Sequence, residues 1–179
     1  MSKRAGEFIS AQDLLNEVEK DPIRFMMLNR SNDVVLDFDF DKVKEKTKDN
    51  PVFYVQYAYA RINSILRSLK TKFTNKVELN DKDFQLNEIE QKILRKVFEW
   101  PKIIESASNK FDLHKIPVYL YDLATLFHSY WSKGNEDEKY KFIRDEKIKR
   151  NEIFAIMNLT AIVLQNGMGI LGVSLPDKM

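Results

Sequence analysis

Asn50-Pro51-Val52-Phe53-Tyr54-Val55-Gln56-Tyr57-Ala58-Tyr59-Ala60-Arg61-Ile62-Asn63-Ser64-Ile65-Leu66-Arg67-Ser68-Leu69-Lys70 is the stretch whose reading settles the architecture. Asn followed by Pro is a strong helix start, because the Asn side chain caps free N–H groups and Pro is pre-set for the first turn. No Gly or further Pro interrupts the run before Lys72. Val52, Val55, Tyr59, Ile62, Ile65, Leu66 and Leu69 recur at helical spacing, so one face is apolar along the whole length. A long amphipathic helix of this kind needs other helices to cover it.

Working outward, the rest of the chain supplies them. A second bundle helix fits Leu86 to Trp100 through Ile89, Ile93, Leu94, Val97 and Phe98. Pro101 ends it or starts the next, which runs to about Phe111. Pro117 starts another, with Val118, Leu120, Tyr121, Leu123, Ala124, Phe127 and Tyr130 on its apolar face, and Gly134 is placed as its left-handed cap. A last helix is expected from about Lys147 to Gln165, with Gly167, Gly169 and Gly172 marking its end and an apolar tail to Met179 folding back or lying on the surface. Upstream, Ser10 can cap a short helix from Ala11 to about Glu19. Asp21-Pro22 then caps and restarts helix through Ile23, Phe25, Met26, Met27 and Leu28. Val34 to Phe40 is the only plausible strand. The fold class is therefore all-α: a helical bundle over residues 50–179, preceded by a smaller α-rich piece over residues 1–49 that would not bury a core alone.

The chain lacks cysteine, which removes disulfide frameworks and thiolate metal sites and suits a reducing cytoplasm. With two histidines and no cysteine no metal pattern arises. The net charge of +2 is far from that of a protein that wraps DNA. Cations are nevertheless clustered. Arg61, Arg67, Lys70, Lys72 and Lys76 follow one another with no acidic residue between them, and Lys139, Lys141, Arg144, Lys147, Lys149 and Arg150 outnumber Asp145 and Glu146. Such patches suit a phosphate backbone, although charge runs are more often solvated helix faces. No apolar run is expected to span a bilayer; Ile153 to Leu171, broken by Asn158, Gln165, Asn166 and glycines, reads as a buried helix.

Several motifs resemble the arginyl-tRNA synthetases. Met1-Ser2-Lys3-Arg4 looks like the end of the Lys-Met-Ser-Lys-Ser loop of class I aminoacyl-tRNA synthetases. Asp21 to Leu28 resembles the arginyl enzymes' following helix. Leu36-Asp37-Phe38-Asp39, followed by Asp49 to Arg61, is similar to their entry into the anticodon-binding domain. Pro117 to Tyr130, and Val163 to Gly167 through Leu171-Gly172-Val173 to Met179, match their later helices and C-terminus. The likeness covers the chain in order, with departures at Pro22, at Tyr59 (where many relatives have histidine) and near Ala161 (where the family tends to have arginine).

The resemblance implies an ATP-dependent arginine–tRNA ligase, with Mg accompanying ATP, of which this chain carries the C-terminal part. Lys3 would be the signature-loop lysine that stabilises charge on the ATP phosphates. The nucleotide-binding unit and the His-Ile-Gly-His signature are missing here, so this chain alone is expected to be inactive, to need no cofactor, and to be a cytoplasmic monomer. Its partners would be tRNA-Arg and the missing N-terminal catalytic part.

Unpaired RNA loops are held by stacking bases on aromatic rings while cations hold phosphates. The candidate tRNA-binding residues are Tyr54, Tyr57, Tyr59, Arg61, Arg67, Lys70, Tyr121, His128, Arg150 and Met179, with Tyr119 and Tyr130 as further candidates by resemblance. Tyr54, Tyr57 and Arg61, three and four apart, share one helix face. For any one tyrosine a core position competes with this role, for Arg61 a structural salt bridge does, and His128 reads best as a packed or interfacial histidine. Two other readings stand beside the first: a helical protein-interaction scaffold, marked by an exposed apolar groove, and one half of a split synthetase completed in trans.

Overall fold

The computed structural model describes residues 11–31, 33–35, 43, 45, 47, 49–70, 85–144, 147–148 and 151–179. Among the described residues, the short helices α1 (Ala11–Glu17) and α2 (Lys20–Leu28) precede the long helices α3 (Pro51–Lys70), α4 (Glu88–Lys110), α5 (Lys115–Glu136) and α6 (Asn151–Leu171). Between α5 and α6, β1 (Ile143–Arg144) and β2 (Lys147–Ile148) form a two-stranded antiparallel ribbon with Ile143 opposite Ile148. The expected strand at Val34 to Phe40 is not seen at Val34 and Val35, and its remainder lies outside the described residues. Ser10 and its capping role also lie outside them.

The long helix begins as its sequence dictates. Asn50 is buried; its side-chain oxygen accepts from the Phe53 N–H at 3.4 Å, and its amide donates to the carbonyls of Val43 and Glu45 at 2.8 and 2.9 Å. One residue thus caps α3 and fixes the loop leading into it. Helix α4 opens with a full capping box: the Asn87 side chain accepts from Ile89 and Glu90, and the Glu90 carboxylate accepts from the Asn87 N–H at 2.8 Å.

Several expected boundaries move. Helix α4 runs straight through Pro101 to Lys110, so Pro101 neither ends nor starts a helix. The exposed ring costs only the bond to the Val97 carbonyl, and packing of Trp100, Ile103, Ile104 and Ala107 on the core holds both halves in line. Helix α5 starts at Lys115, two residues before Pro117. Gly134 is not a cap: it lies inside α5, buried, where a Cβ would come within 3.1 Å of the Tyr140 carbonyl oxygen. Helix α6 starts at Asn151 rather than Lys147, and continues past Gly167 and Gly169 to Leu171. Its cap is Gly172 at φ +64°, with Val173 N–H bonded to Met168 O and Gly172 N–H to Gly169 O. Asp21, expected as a cap, stands in the first turn of α2, and its carboxylate instead accepts from the Ser174 N–H at 2.9 Å and from the Ser174 hydroxyl.

Helix α6 packs against each of α3, α4 and α5. By length and composition Glu152–Leu171 could cross a bilayer, which the sequence was not expected to allow, but its reading as a buried helix holds. Here Ile156, Met157, Leu164, Met168 and Leu171 are buried against the other helices, while Asn158, Gln165 and Asn166 face outward. Helix α2 joins the same core through the fully buried Phe25, and Leu14, Val18, Ile23 and Val43 form a small second cluster beneath α1 and α2.

At the end of α4 the chain turns through Phe111 at φ +54°, with Phe111 N–H bonded to Ser108 O and Asp112 N–H to Ala107 O. This position favours glycine, and the Phe111 ring is 82% exposed, so little burial offsets the left-handed conformation. Phe111→Gly is expected to raise stability by about 1 kcal/mol, read as a higher urea midpoint at unchanged m-value.

Candidate nucleic-acid interface

Helical spacing puts Phe53, Tyr57 and Arg61 on one ridge of α3, with Tyr54 beside it. Helix α5 lies alongside and contributes Tyr121, His128 and Trp131, spaced seven and three apart. The rings interlock. Tyr54 and His128 have centroids 4.3 Å apart, Tyr54 and Tyr121 5.2 Å, and Tyr57 stacks on His128 at 5.5 Å with 17° between planes. Phe53 extends the row, 6.0 Å from Tyr57 and within 7° of parallel.

Arg61 is at the centre. Its guanidinium carbon is 4.5 Å from the centroid of Tyr57 and 4.5 Å from that of Trp131, so the cation contacts two rings at once. Nη2 also donates to the Tyr57 hydroxyl. Among the described residues no carboxylate forms an ion pair with Arg61, so two ring contacts stand where a salt bridge was the rival. Trp131 is in turn steadied edge-on by Phe142 at 5.3 Å. The guanidinium has five N–H donors, more than the bond to Tyr57 uses, and their fork geometry suits a phosphate oxygen or a base carbonyl.

His128 ties the two helices together. Its Nε2 is 3.1 Å from the Tyr54 carbonyl oxygen, which can only accept, so Nε2 carries the proton. Burial pushes the His128 pKa below its ordinary value of 6.5; the bond to Tyr54 opposes this, and the Arg61 charge adds to the depression. Burial likewise raises the Tyr54 hydroxyl, against a hydrogen bond with Thr125 and with the neighbouring Tyr121 adding to the rise.

A base whose folded pKa is depressed binds fewer protons folded than unfolded, so stability is intact above the unfolded pKa and falls as pH drops from there toward the folded value. Unfolding free energy is therefore expected to decline below about pH 6.5. The slope should flatten in His128→Gln, as read from urea midpoints at pH 7.5 and 5.5.

The other candidates divide. Tyr121 is half-buried under Tyr54. Tyr59 is not presented to a ligand: two residues from Tyr57 is about 200° round the helix, which turns its ring into the core at 8% exposure. Tyr119 and Tyr130 are also core residues, their hydroxyls donating to the Lys96 carbonyl and the Glu90 carboxylate. Burial raises the Tyr119 pKa, with Glu99 adding to it. Arg67 donates at 2.7 Å to the Asp177 carbonyl, and Met179, at the end of the same tail, is about half exposed. Lys70 ends α3, but its side chain is outside the described residues, as are Lys3 and Arg150 altogether. The sequence reading missed Trp131 as a site residue. Its three-residue spacing from His128 was the available signal, but only the crossing of α3 and α5 brings it to Arg61.

Comparison with known proteins follows the same lines. Residues 55–179 match the family described as the DALR anticodon binding domain. The chain is 50% identical over 179 residues to the arginine–tRNA ligase of Pelagibacter ubique, covering all of this chain and 31% of that protein. It is 41% identical over 189 residues to the enzyme of the same name from Rhizobium meliloti, covering 32% of it. Among solved structures, a putative arginyl-tRNA synthetase from Campylobacter jejuni superposes with a TM-score of 0.79 at 26% identity, over 99% of this chain and 37% of that one. The chain thus spans about a third of the length of the curated relatives it matches.

Proposed function

The chain belongs to the DALR anticodon-binding domain family, and on that footing we propose that its α3–α5 face holds the anticodon arm of tRNA-Arg as the C-terminal part of an arginine–tRNA ligase. One observation carries this reading. A guanidinium that forms no ion pair among the described residues lies over the rings of both Tyr57 and Trp131, beside a half-buried row of rings. A purely structural cluster has no need of a cation against its rings, whereas an unpaired loop offers bases to stack and phosphates to neutralise. The complete enzyme would join arginine to tRNA at the expense of ATP, with Mg on the phosphates, in the cytoplasm. Lys3 would serve that reaction, and this chain alone, a monomer without the nucleotide-binding unit, would neither activate arginine nor charge tRNA.

The test is a titration of the chain with an anticodon stem-loop of tRNA-Arg at 50 and 200 mM salt. Binding should be weak, should fall with salt, and should exceed that of a stem-loop with a scrambled loop. Equal affinity for both loops would remove the reading.

A second reading, a protein-docking scaffold or a half synthetase completed in trans, has one observation in its favour. A groove of about 300 Å³ opens between Ile104, Ala107, Phe111, Leu113, Ile116 and Ile170, with Phe111, Leu113 and Ile170 substantially exposed. Failure of Arg61→Ala to alter stem-loop affinity would turn attention to that groove.

A further inference from the structure

We propose that the C-terminal tail after α6 is a built wall of the RNA-binding face, and that Gln56 and Arg67 are positioning residues for it rather than phosphate contacts. The role assigned to the tail rests on the anticodon-binding reading; its attachment does not.

The tail is held along its length. Gly172 turns it out of α6, Arg24 of α2 donates to the Leu171 carbonyl, and Val173 is buried. Asp21 of α2 takes the N–H and hydroxyl of Ser174. Gln56 donates at 3.0 Å to the Ser174 carbonyl, Leu175 packs on the core, and Arg67 donates at 2.7 Å to the Asp177 carbonyl. The tail therefore runs beside α3, in the direction of that helix, from its first third to its last turn. Eleven residues separate Gln56 from Arg67, about three helical turns, so the two side chains leave the same face.

That face borders the ligand ridge. Tyr57 projects about 100° from Gln56, and Arg61 a little further round. The outer surface of α3 is thus flanked on one side by the tail and on the other by His128 and Trp131 of α5. With its charge directed into a backbone carbonyl, Arg67 fixes where the tail's last residues, including the half-exposed Met179, lie relative to the rings.

A phosphate contact and a positioning contact respond differently to salt. The experiment compares the whole chain with Arg67→Ala, with deletion of residues 176–179, and with the two combined. Tail mobility is read from the Met179 methyl NMR signal, and binding from the anticodon stem-loop titration at 50 and 200 mM salt. Arg67→Ala should shift and narrow the Met179 signal, and weaken binding about fivefold, the loss of one charge-assisted hydrogen bond to the tail. The salt slope should be unchanged, the deletion should cause a similar loss, and adding Arg67→Ala to it should change nothing more. A static Met179 signal, a slope reduced by about 0.7, or additive losses would each overturn the proposal. If the unaltered chain fails to bind the stem-loop, the anticodon reading and the tail's role fall together, while the Met179 signal still decides whether Arg67 holds the tail.

Discussion

Replacing Arg61 with alanine is expected to weaken binding of the anticodon stem-loop about thirtyfold, roughly 2 kcal/mol, the size of a charge-assisted hydrogen bond lost together with its positioning. The guanidinium is 4.5 Å from both the Tyr57 and Trp131 centroids, and this double contact fixes the plane in which its donors point. Three readouts distinguish a direct RNA contact from a general loosening of the face. The salt slope should fall by about 0.7 if one phosphate charge is lost. Arg61→Lys should retain the slope but recover only part of the affinity, because an ammonium on a flexible stem lacks the planar fork of donors and its contact with aromatic rings. Folding stability should drop by only about 1 kcal/mol, the scale of the cation–π contacts. If Arg61→Ala lost several kcal/mol of stability while binding per folded molecule was unchanged, the residue would be structural and the proposed interface would lose its centre.

The largest stability effect is expected at Glu90, a fully buried carboxylate in the bundle. One oxygen accepts from the Asn87 N–H at the start of α4, and the other accepts from the Tyr130 hydroxyl of α5. Glu90→Ala removes half of a capping box and an inter-helix acceptor, and leaves a cavity in a packed site, which together cost about 3 kcal/mol. For a domain of this size that corresponds to a melting temperature lower by about 10 °C. Glu90→Gln keeps the shape and an acceptor oxygen, so it should cost about a third as much. Equal destabilisation by Ala and Gln would mean that the charge, and not the hydrogen-bonded geometry, holds the two helices.

Much of this molecule is local and could be read from the chain itself. Asn50-Pro51 starts α3 where its capping chemistry places it, and the spacing of Tyr54, Tyr57 and Arg61 fixes those side chains on adjoining faces of one helix. The apolar period of each segment likewise announced a bundle, because each stripe needed covering. Boundaries were less legible. Pro101 and Gly134 carry strong local preferences for ending helices, yet packing of Trp100, Ile103 and Ala107, and of the Tyr140 backbone, outweighs them. The sequence determined which elements form and which residues share a ridge, since a 3.6-residue repeat sets direction within a single helix. Only the tertiary structure decided that Tyr119 turns inward, that Trp131 closes over Arg61, and that Arg67 holds a carbonyl more than a hundred residues away. Those outcomes depend on which faces of distant helices dock, and the periodicity of one helix carries no information about its partner.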